Sequence, residues 1–382
     1  MTPQTDRPRF YFNPGAQTFD VQVEPDVLDF HRKLPGYMPT PLVRAPRLAA
    51  ALGVAEAWVK DESSRLGLPA YKMLGASWAT YRELDVRFGP FARCSSLEEQ
   101  AAHLVSYRPL TLVAATDGNH GRAVARMARW LGLDAHILVP GDMVTARVQA
   151  IEQEGAQVQV VQGSYDDAVE ASARLADATH LVISDTAWDG YTRVPGWVSA
   201  GYSTIFQETD TQLVEHGVRQ PDLVAVQMGV GSLAAAAVGH YRARGGKSQV
   251  VGVEPTLAAC VLRSLTAGQL TEVPGPHTSI MAGLNCGNTS PLAWPLLQGG
   301  LSASVAIHDE RAEQAMRLLA MDDVESGESG AAGVGGLLEL LTGPEAAVTR
   351  RRLGVTAQST VLAISTEGAT DPEAYARIVS GS

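Results

Sequence analysis

The chain has 382 residues, of which 45% are hydrophobic and 19% charged, with a net charge of −11 at neutral pH. That length suits two domains and that composition a buried core. The acidic balance argues against a nucleic-acid partner, and no run approaches the roughly 18 apolar residues of a membrane-spanning helix.

The segment MTPQTDRPRFYFNPG has no apolar stretch after its charges, so a cytoplasmic protein without membrane contact is expected. Cys94, Cys260 and Cys286 show no CxxC spacing, and no metal site is expected from them. Cys260 and Cys286 either pair or stand as two separate buried thiols, the second being the cytosolic expectation.

In chain order the first segment to stand out is AYKMLGA (70–76), a cation among apolar and small residues in a chain with four lysines. Lys72 reads either as a snorkelling lysine on a half-buried helix or as a functional amine whose burial disfavours its charge. TLVAAT (111–116) then reads as a strand running into the helix GNHGRAVARMARWLG. DAHILVP, AQVQVVQG and HLVISD follow as strands, separated by the helices ARVQAIEQEG and SYDDAVEASARLADA. A second set opens with the strand DLVAVQM (222–228), a glycine loop and the helix SLAAAAVGHYRARGG. It continues with the strand SQVVGVEP and closes with STVLAISTEG (359–368). Alternation of this kind implies an α/β protein with parallel sheets flanked by helices. Two units with a cleft between them are expected: a small α/β domain over 85–200, and a large cofactor-binding domain over 1–84 plus 201–382.

Two motifs sit where strands pass into helices. Gly229, Val230, Gly231, Ser232, Leu233 and Ala234 fit the dinucleotide fingerprint G-x-G-x-x-A, with Glu254 closing the next strand. An NAD(P)-dependent oxidoreductase is therefore one reading. A phosphate monoester is served equally well by backbone N–H groups at a helix start, and a plain tight turn is the third reading. ATDGNHGRAVA (115–125) packs Asp117, Asn119 and His120 between glycines at a strand end. One such residue suffices for a helix cap, whereas three at the C-terminal end of a parallel strand lie where these folds bind ligands. Taken with Lys72, they point to a cofactor with an aldehyde, a phosphate and a ring. Pyridoxal 5'-phosphate has all three: Lys72 would form the Schiff base, the glycine loop would hold the phosphate, and Asn119 would donate to the ring hydroxyl.

With PTPL (39–42), WVKDE (58–62) and STEGATD (365–371) added in order, the chain resembles the fold type II, tryptophan-synthase-β-like pyridoxal phosphate enzymes over nearly its whole length. Within that family YKMLGA, ATDGNHGR, DTAWDGY, SIMAGLNCG and ESGESGAAG are most similar to segments of the diaminopropionate ammonia-lyases. Ala70 and Leu74 depart from the serine and arginine of the common dehydratases, and Asp189 stands where that subfamily carries Glu. The resemblance implies α,β-elimination of a small amino acid, 2,3-diaminopropionate, to pyruvate and two ammonia. Lys72 and Asp117 are then the bases on opposite faces of the substrate, and Asp185 either binds its β-amine or joins in proton transfer. Ser365 or Thr366 meets the ring nitrogen, His120 stays unassigned, and a homodimer is implied. A serine/threonine dehydratase or another amino-acid β-lyase is the alternative.

Overall fold

The computed structural model describes residues 9–19, 24, 26–91, 94–116, 118–141, 143–163, 165–243 and 245–381; Asp117 lies outside the described residues. The chain opens with β1 (Phe10–Phe12), α1 (Val27–His31), β2 (Leu42–Arg44), α2 (Pro46–Leu52), β3 (Glu56–Asp61), α3 (Lys72–Phe88) and α4 (Leu97–Leu104). Next come β4 (Thr111–Ala115), α5 (Asn119–Leu131), β5 (Asp134–Pro140), α6 (Thr145–Glu152), β6 (Gln157–Val161), α7 (Tyr165–Ala173), β7 (His180–Val182), α8 (Arg193–Gly201) and α9 (Ser203–Glu215). Then follow β8 (Leu223–Gln227), α10 (Ser232–Tyr241), β9 (Gln249–Pro255), α11 (Cys260–Ala267), α12 (Trp294–Gly300) and β10 (Ala303–Ile307). The last elements are α13 (Asp309–Met321), α14 (Ala332–Thr342), α15 (Ala346–Leu353), β11 (Thr360–Ser365) and α16 (Pro372–Ser380).

The chain divides into two compact units, 24–38 with 65–204, and 1–23 with 39–64 and 205–382. Residues 65–84 therefore cluster with the smaller unit, where the sequence boundary at 85 leaves them outside it. The reason is α3, which packs along α8 and α5. A Cβ built on Gly75 of α3 would lie 2.6 Å from the Tyr202 ring, and one on Gly201 of α8 would lie 2.5 Å from the Leu74 carbonyl oxygen. The "LGA" following Lys72 thus lets one helix backbone lie against another.

The smaller unit carries a four-stranded parallel sheet in the order β6-β5-β4-β7. Its central strand β4 is almost entirely buried, whereas the edge strand QVQVV is half exposed. That contrast is the one expected of central and edge strands when helices cover both faces of a sheet. α5 ends on left-handed Gly132, whose N–H returns to the Ala128 and Arg129 carbonyls, as the glycine stop predicts. Arg122, Arg126 and Arg129, one helical face of α5, converge on buried Glu154 at 3.3, 2.5 and 3.0 Å. Burial acts to raise that carboxyl, and the three guanidiniums hold it below its usual value.

The larger unit carries a seven-stranded sheet, β1-β10-β9-β8-β11-β3-β2, parallel except at its two edge strands. β8 and β10 are buried throughout; the short run ASVAI of β10 is a strand that the pattern reading passes over. α14, AGVGGLLELLT, is buried over nearly its full length, as befits a helix apolar all round. No described helix is long and apolar enough to cross a membrane. Glu254, the candidate ribose ligand of the dinucleotide reading, is fully buried. Its carboxylate accepts the Val261 and Leu262 N–H groups, both at 2.8 Å, at the start of α11, and Ser304 Oγ at 3.4 Å. The acid is a buried helix cap, which removes the residue that made the fingerprint look dinucleotide-specific.

Two outcomes follow from this packing. Gly201→Ala must displace a backbone oxygen, and we expect it to lower stability by about 1–3 kcal/mol in denaturant unfolding. Gly196→Ala in the same helix meets nothing within 4 Å and is expected to be neutral or stabilising by up to about 1 kcal/mol. Burial pushes the Glu254 carboxyl from 4.5 up to about 8, against lowering by its hydrogen bonds. A carboxyl protonated in the folded chain and ionised in the unfolded one stabilises fully below its ordinary value and loses that contribution as pH rises through the raised one. The unfolding free energy of the wild type, measured relative to Glu254→Gln, should therefore fall from pH 4.5 to about 8.

Candidate active site

In each sheet the chain adds strands on one side of a starting strand and then returns to its other side. β4, β5 and β6 run one way and β7 joins β4 on the opposite flank; β8, β9 and β10 run one way and β11 joins β8. The C-terminal ends of β4 and β7, and those of β8 and β11, are thus topological switch points, where open parallel sheets take their ligands.

At the β4/β7 switch point the loop into α5 is shaped by buried Thr116, whose Oγ1 accepts the Gly118 and Gly121 N–H groups at 2.9 and 3.0 Å. Asn119 and His120 are the first two residues of α5. Asp185 lies three residues beyond β7, and its Oδ2 accepts from Lys72 Nζ at 2.7 Å. His120 Nδ1 stands 3.8 Å from the same oxygen, and Tyr165 donates its hydroxyl to Asp185 Oδ1 at 3.5 Å. Burial opposes ionisation of Asp185, but the Lys72 ammonium bonded to its Oδ2 outweighs it and holds the carboxyl well below the usual range. Asp185 does not cap a helix, because DTAWDGY forms a tight turn. Trp188 and Tyr191 bond each other's backbone and stack at 4.1 Å. The Tyr191 hydroxyl accepts the Ser184 N–H and donates to the Val182 carbonyl, which fixes the strand end that presents Asp185.

Two lysines lie among apolar neighbours, and their surroundings separate them. Lys60 is fully buried, with Nζ bonded to the Thr40 carbonyl, Glu208 Oε2 and Gln212 Oε1 at 2.8, 2.7 and 2.9 Å. Those three bonds use all three ammonium hydrogens. Lys72 is the first residue of α3, and its side chain is 23% exposed. It is the lysine that another molecule can reach.

The larger unit supplies an anion site and a hydroxyl pair. Gly231 caps α10 at φ +98°, a conformation that favours glycine, and a Cβ there would lie 2.5 Å from Leu297. The carbonyls of Gly229, Val230 and Gly231 already accept from Cys260 Sγ, Ser290 N and Ala235 N. What the loop from Gly229 to Leu233 offers an anion is therefore the N–H groups of a helix's first turn, with Ser232 opening that turn. Cys260 and Cys286 do not form a disulfide, and a Cβ on Gly229 would lie 3.0 Å from Cys286 Sγ.

At the end of β11, Ser365 Oγ donates to Ser326 Oγ at 2.8 Å. Thr366 Oγ1 faces Gln227 Nε2 at 2.8 Å. Gln227, at the end of β8, is a residue that the sequence reading missed. Its Nε2 also faces the Ser329, Gly330 and Ile364 carbonyls at 3.1, 2.9 and 3.0 Å. Three carbonyls fix that end as the NH₂ end, so Thr366 accepts and keeps its own hydrogen. A lone glutamine in the apolar run DLVAVQM was the available signal. Tyr165 was also missed, and nothing in SYDDAVE marks it. In the smaller unit a reachable lysine beside an ionised acid fits an aldehyde; in the larger unit an N–H cradle fits a phosphate, and the Thr366 hydroxyl fits a pyridine nitrogen.

Comparison with known proteins points to the same cofactor class. A model of the family described as pyridoxal-phosphate dependent enzyme matches residues 33–349. Diaminopropionate ammonia-lyase of Escherichia coli is 38% identical over 362 residues, covering 92% of this chain and 89% of that protein. The enzyme of the same name from Salmonella typhimurium is 36% identical over 392 residues, covering 98% and 96%. A crystal structure of the E. coli enzyme in complex with D-serine superposes with a TM-score of 0.89 at 34% identity, covering 97% of this chain and 96% of that one. A second, with an aminoacrylate-PLP azomethine reaction intermediate, gives 0.87 at the same identity and coverage. The chain belongs to the pyridoxal-phosphate dependent enzymes and, within them, to the diaminopropionate ammonia-lyase family.

Proposed function

We propose that the protein converts 2,3-diaminopropionate to pyruvate and two ammonia by α,β-elimination with pyridoxal 5'-phosphate. The observation that carries this reading is the 2.7 Å pairing of the reachable Lys72 with an ionised Asp185 at a sheet switch point, in a chain 38% identical to a diaminopropionate ammonia-lyase. The cofactor, when bound, supplies the electron sink for the pair left at Cα.

The chain's own residues do the rest. Lys72 would hold the aldehyde, and its free amine would remove the Cα proton on one face. Asp117, which follows β4 in the chain, is assigned the opposite face. Asp185 already binds one ammonium, that of Lys72, and this supports giving it the substrate's β-ammonium. Asn119 donates to the ring hydroxyl, and the loop formed by Gly229, Val230, Gly231, Ser232 and Leu233 binds the phosphate. Between Ser365 and Thr366, the reading favours Thr366 for the ring nitrogen. Its hydrogen cannot go to Gln227, whose NH₂ end only donates, while Ser365 gives its hydrogen to Ser326. A neutral hydroxyl donor leaves that nitrogen largely unprotonated, which suits prompt loss of a leaving group. We further propose that the protein works as a cytoplasmic homodimer, which light scattering checks as twice the mass of the chain.

Several measurements test these roles. Lys72→Ala should lack the visible band of lysine-bound pyridoxal phosphate; a retained band overturns the lysine assignment. Asp117→Asn should slow turnover of one stereoisomer by about 10²–10⁴-fold and the other far less, and equal losses would remove the opposite-face assignment. Products should accumulate at two ammonia per pyruvate, whereas a ratio of one, with serine the better substrate, would identify a dehydratase.

A further inference from the structure

His120 is the second residue of α5 and is 1% exposed. Its Nε2 lies 2.7 Å from the Ile183 carbonyl oxygen. A carbonyl only accepts, so Nε2 carries a hydrogen, and the nitrogen whose state can change is Nδ1. Nδ1 is buried and has no hydrogen-bond partner among the described residues. Leaving a buried polar nitrogen in that state is costly unless the group has a further use. It is aimed at Asp185: Nδ1 and Oδ2 are 3.8 Å apart, just outside hydrogen-bond reach. The same Oδ2 accepts from Lys72 Nζ at 2.7 Å, so a single carboxylate oxygen stands between two nitrogens and is bonded to one.

We propose that His120 is a positioning residue that takes over Asp185 when Lys72 bonds the cofactor aldehyde, by receiving on Nδ1 the proton that the lysine ammonium sheds. The inference rests on Lys72 being the aldehyde-bonding residue. The lysine ammonium holds three hydrogens. One leaves as a proton so that the neutral amine can attack. The amine's two remaining hydrogens would then leave with the aldehyde oxygen as water, the C=O bond being replaced by a C=N bond. Asp185 thereby loses its ammonium partner. The shed proton, carried past Oδ2 to Nδ1, makes an imidazolium that donates to the same oxygen and keeps the carboxylate charged and in place. The described titratable groups around Asp185 leave His120 as the acceptor. Tyr191 and Tyr202 are pushed up by burial and stay neutral, and Tyr165 already donates to Asp185 Oδ1.

Nitrogen-15 NMR of imidazole-labelled protein, with and without pyridoxal phosphate, reads this directly. The His120 signals are those missing from His120→Gln. We expect Nε2 to stay protonated and Nδ1 to change from unprotonated to protonated on loading. Asp185→Asn keeps the imidazole and removes the negative charge that the imidazolium would answer, so it should abolish the change. The near-ultraviolet and visible absorption of the same samples separates the two readings. If the band of lysine-bound cofactor appears while Nδ1 stays unprotonated, the His120 role is wrong and the lysine role stands. If no band appears, the lysine role fails and takes the inference with it. An unchanged Nδ1 response in Asp185→Asn also overturns the proposal, because the proton would then be serving something other than that carboxylate.

Discussion

A parallel strand cannot turn back on itself, so each strand in these sheets must be followed by a crossover, and each crossover has to leave one side of the sheet or the other. Where two neighbouring strands send their crossovers in opposite directions, their ends carry no connection across the gap. Both sheets contain such a place, at β4/β7 and at β8/β11. Nearly all the chemistry discussed above sits at one of the two: Asn119, His120 and Asp185 at the first, the glycine loop, Gln227, Ser365 and Thr366 at the second. Lys72 is the exception. It comes from the start of a helix laid against α5 and α8 and not from a strand end.

Buried polar groups in this molecule separate by how fully they are answered. Lys60 has an acceptor for every ammonium hydrogen, and Glu254 is met by two backbone N–H groups and a hydroxyl. Those are the marks of groups that hold a structure together. His120 Nδ1 lacks a hydrogen bond among the described residues, and Thr366 Oγ1 faces an NH₂ group that cannot accept its hydrogen. At a sheet switch point such unmet capacity points to a use outside the resting contacts. The chemistry of the site can be read from what its neighbours leave unfinished.

The strands β4, β5, β8 and β9 and the glycine stop of α5 were legible because runs that face helices on both sides are apolar, and glycine endings are local. β10 was not, since ASVAI is short and mostly small, with nothing at its ends to punctuate it. The edge strands β1 and β2 are three residues each, too short to show a period. Lys72 was legible as unusual but not as distinct from Lys60, because both have apolar neighbours in sequence and differ only in what reaches them in space. Gln227 could not have been assigned its part. Its partners lie at 329–330 and 364–366, more than a hundred residues away, and no local pattern encodes such a bond. Glu254 shows the opposite failure, where a local pattern was complete and the buried partners gave it another meaning.

The contact between α3 and α8 bears on how this lysine could be moved to another scaffold. Gly75 lies in the Lys72 segment, but the glycine that meets its helix, Gly201, is more than a hundred residues further along. Grafting YKMLGA into a related enzyme whose second helix carries a side chain at that place would lift the recipient helix off its neighbour and tilt the amine out of position. The heritable unit is therefore a pair of helices with matched gaps, and an alignment of the lysine motif alone will overstate how interchangeable such segments are.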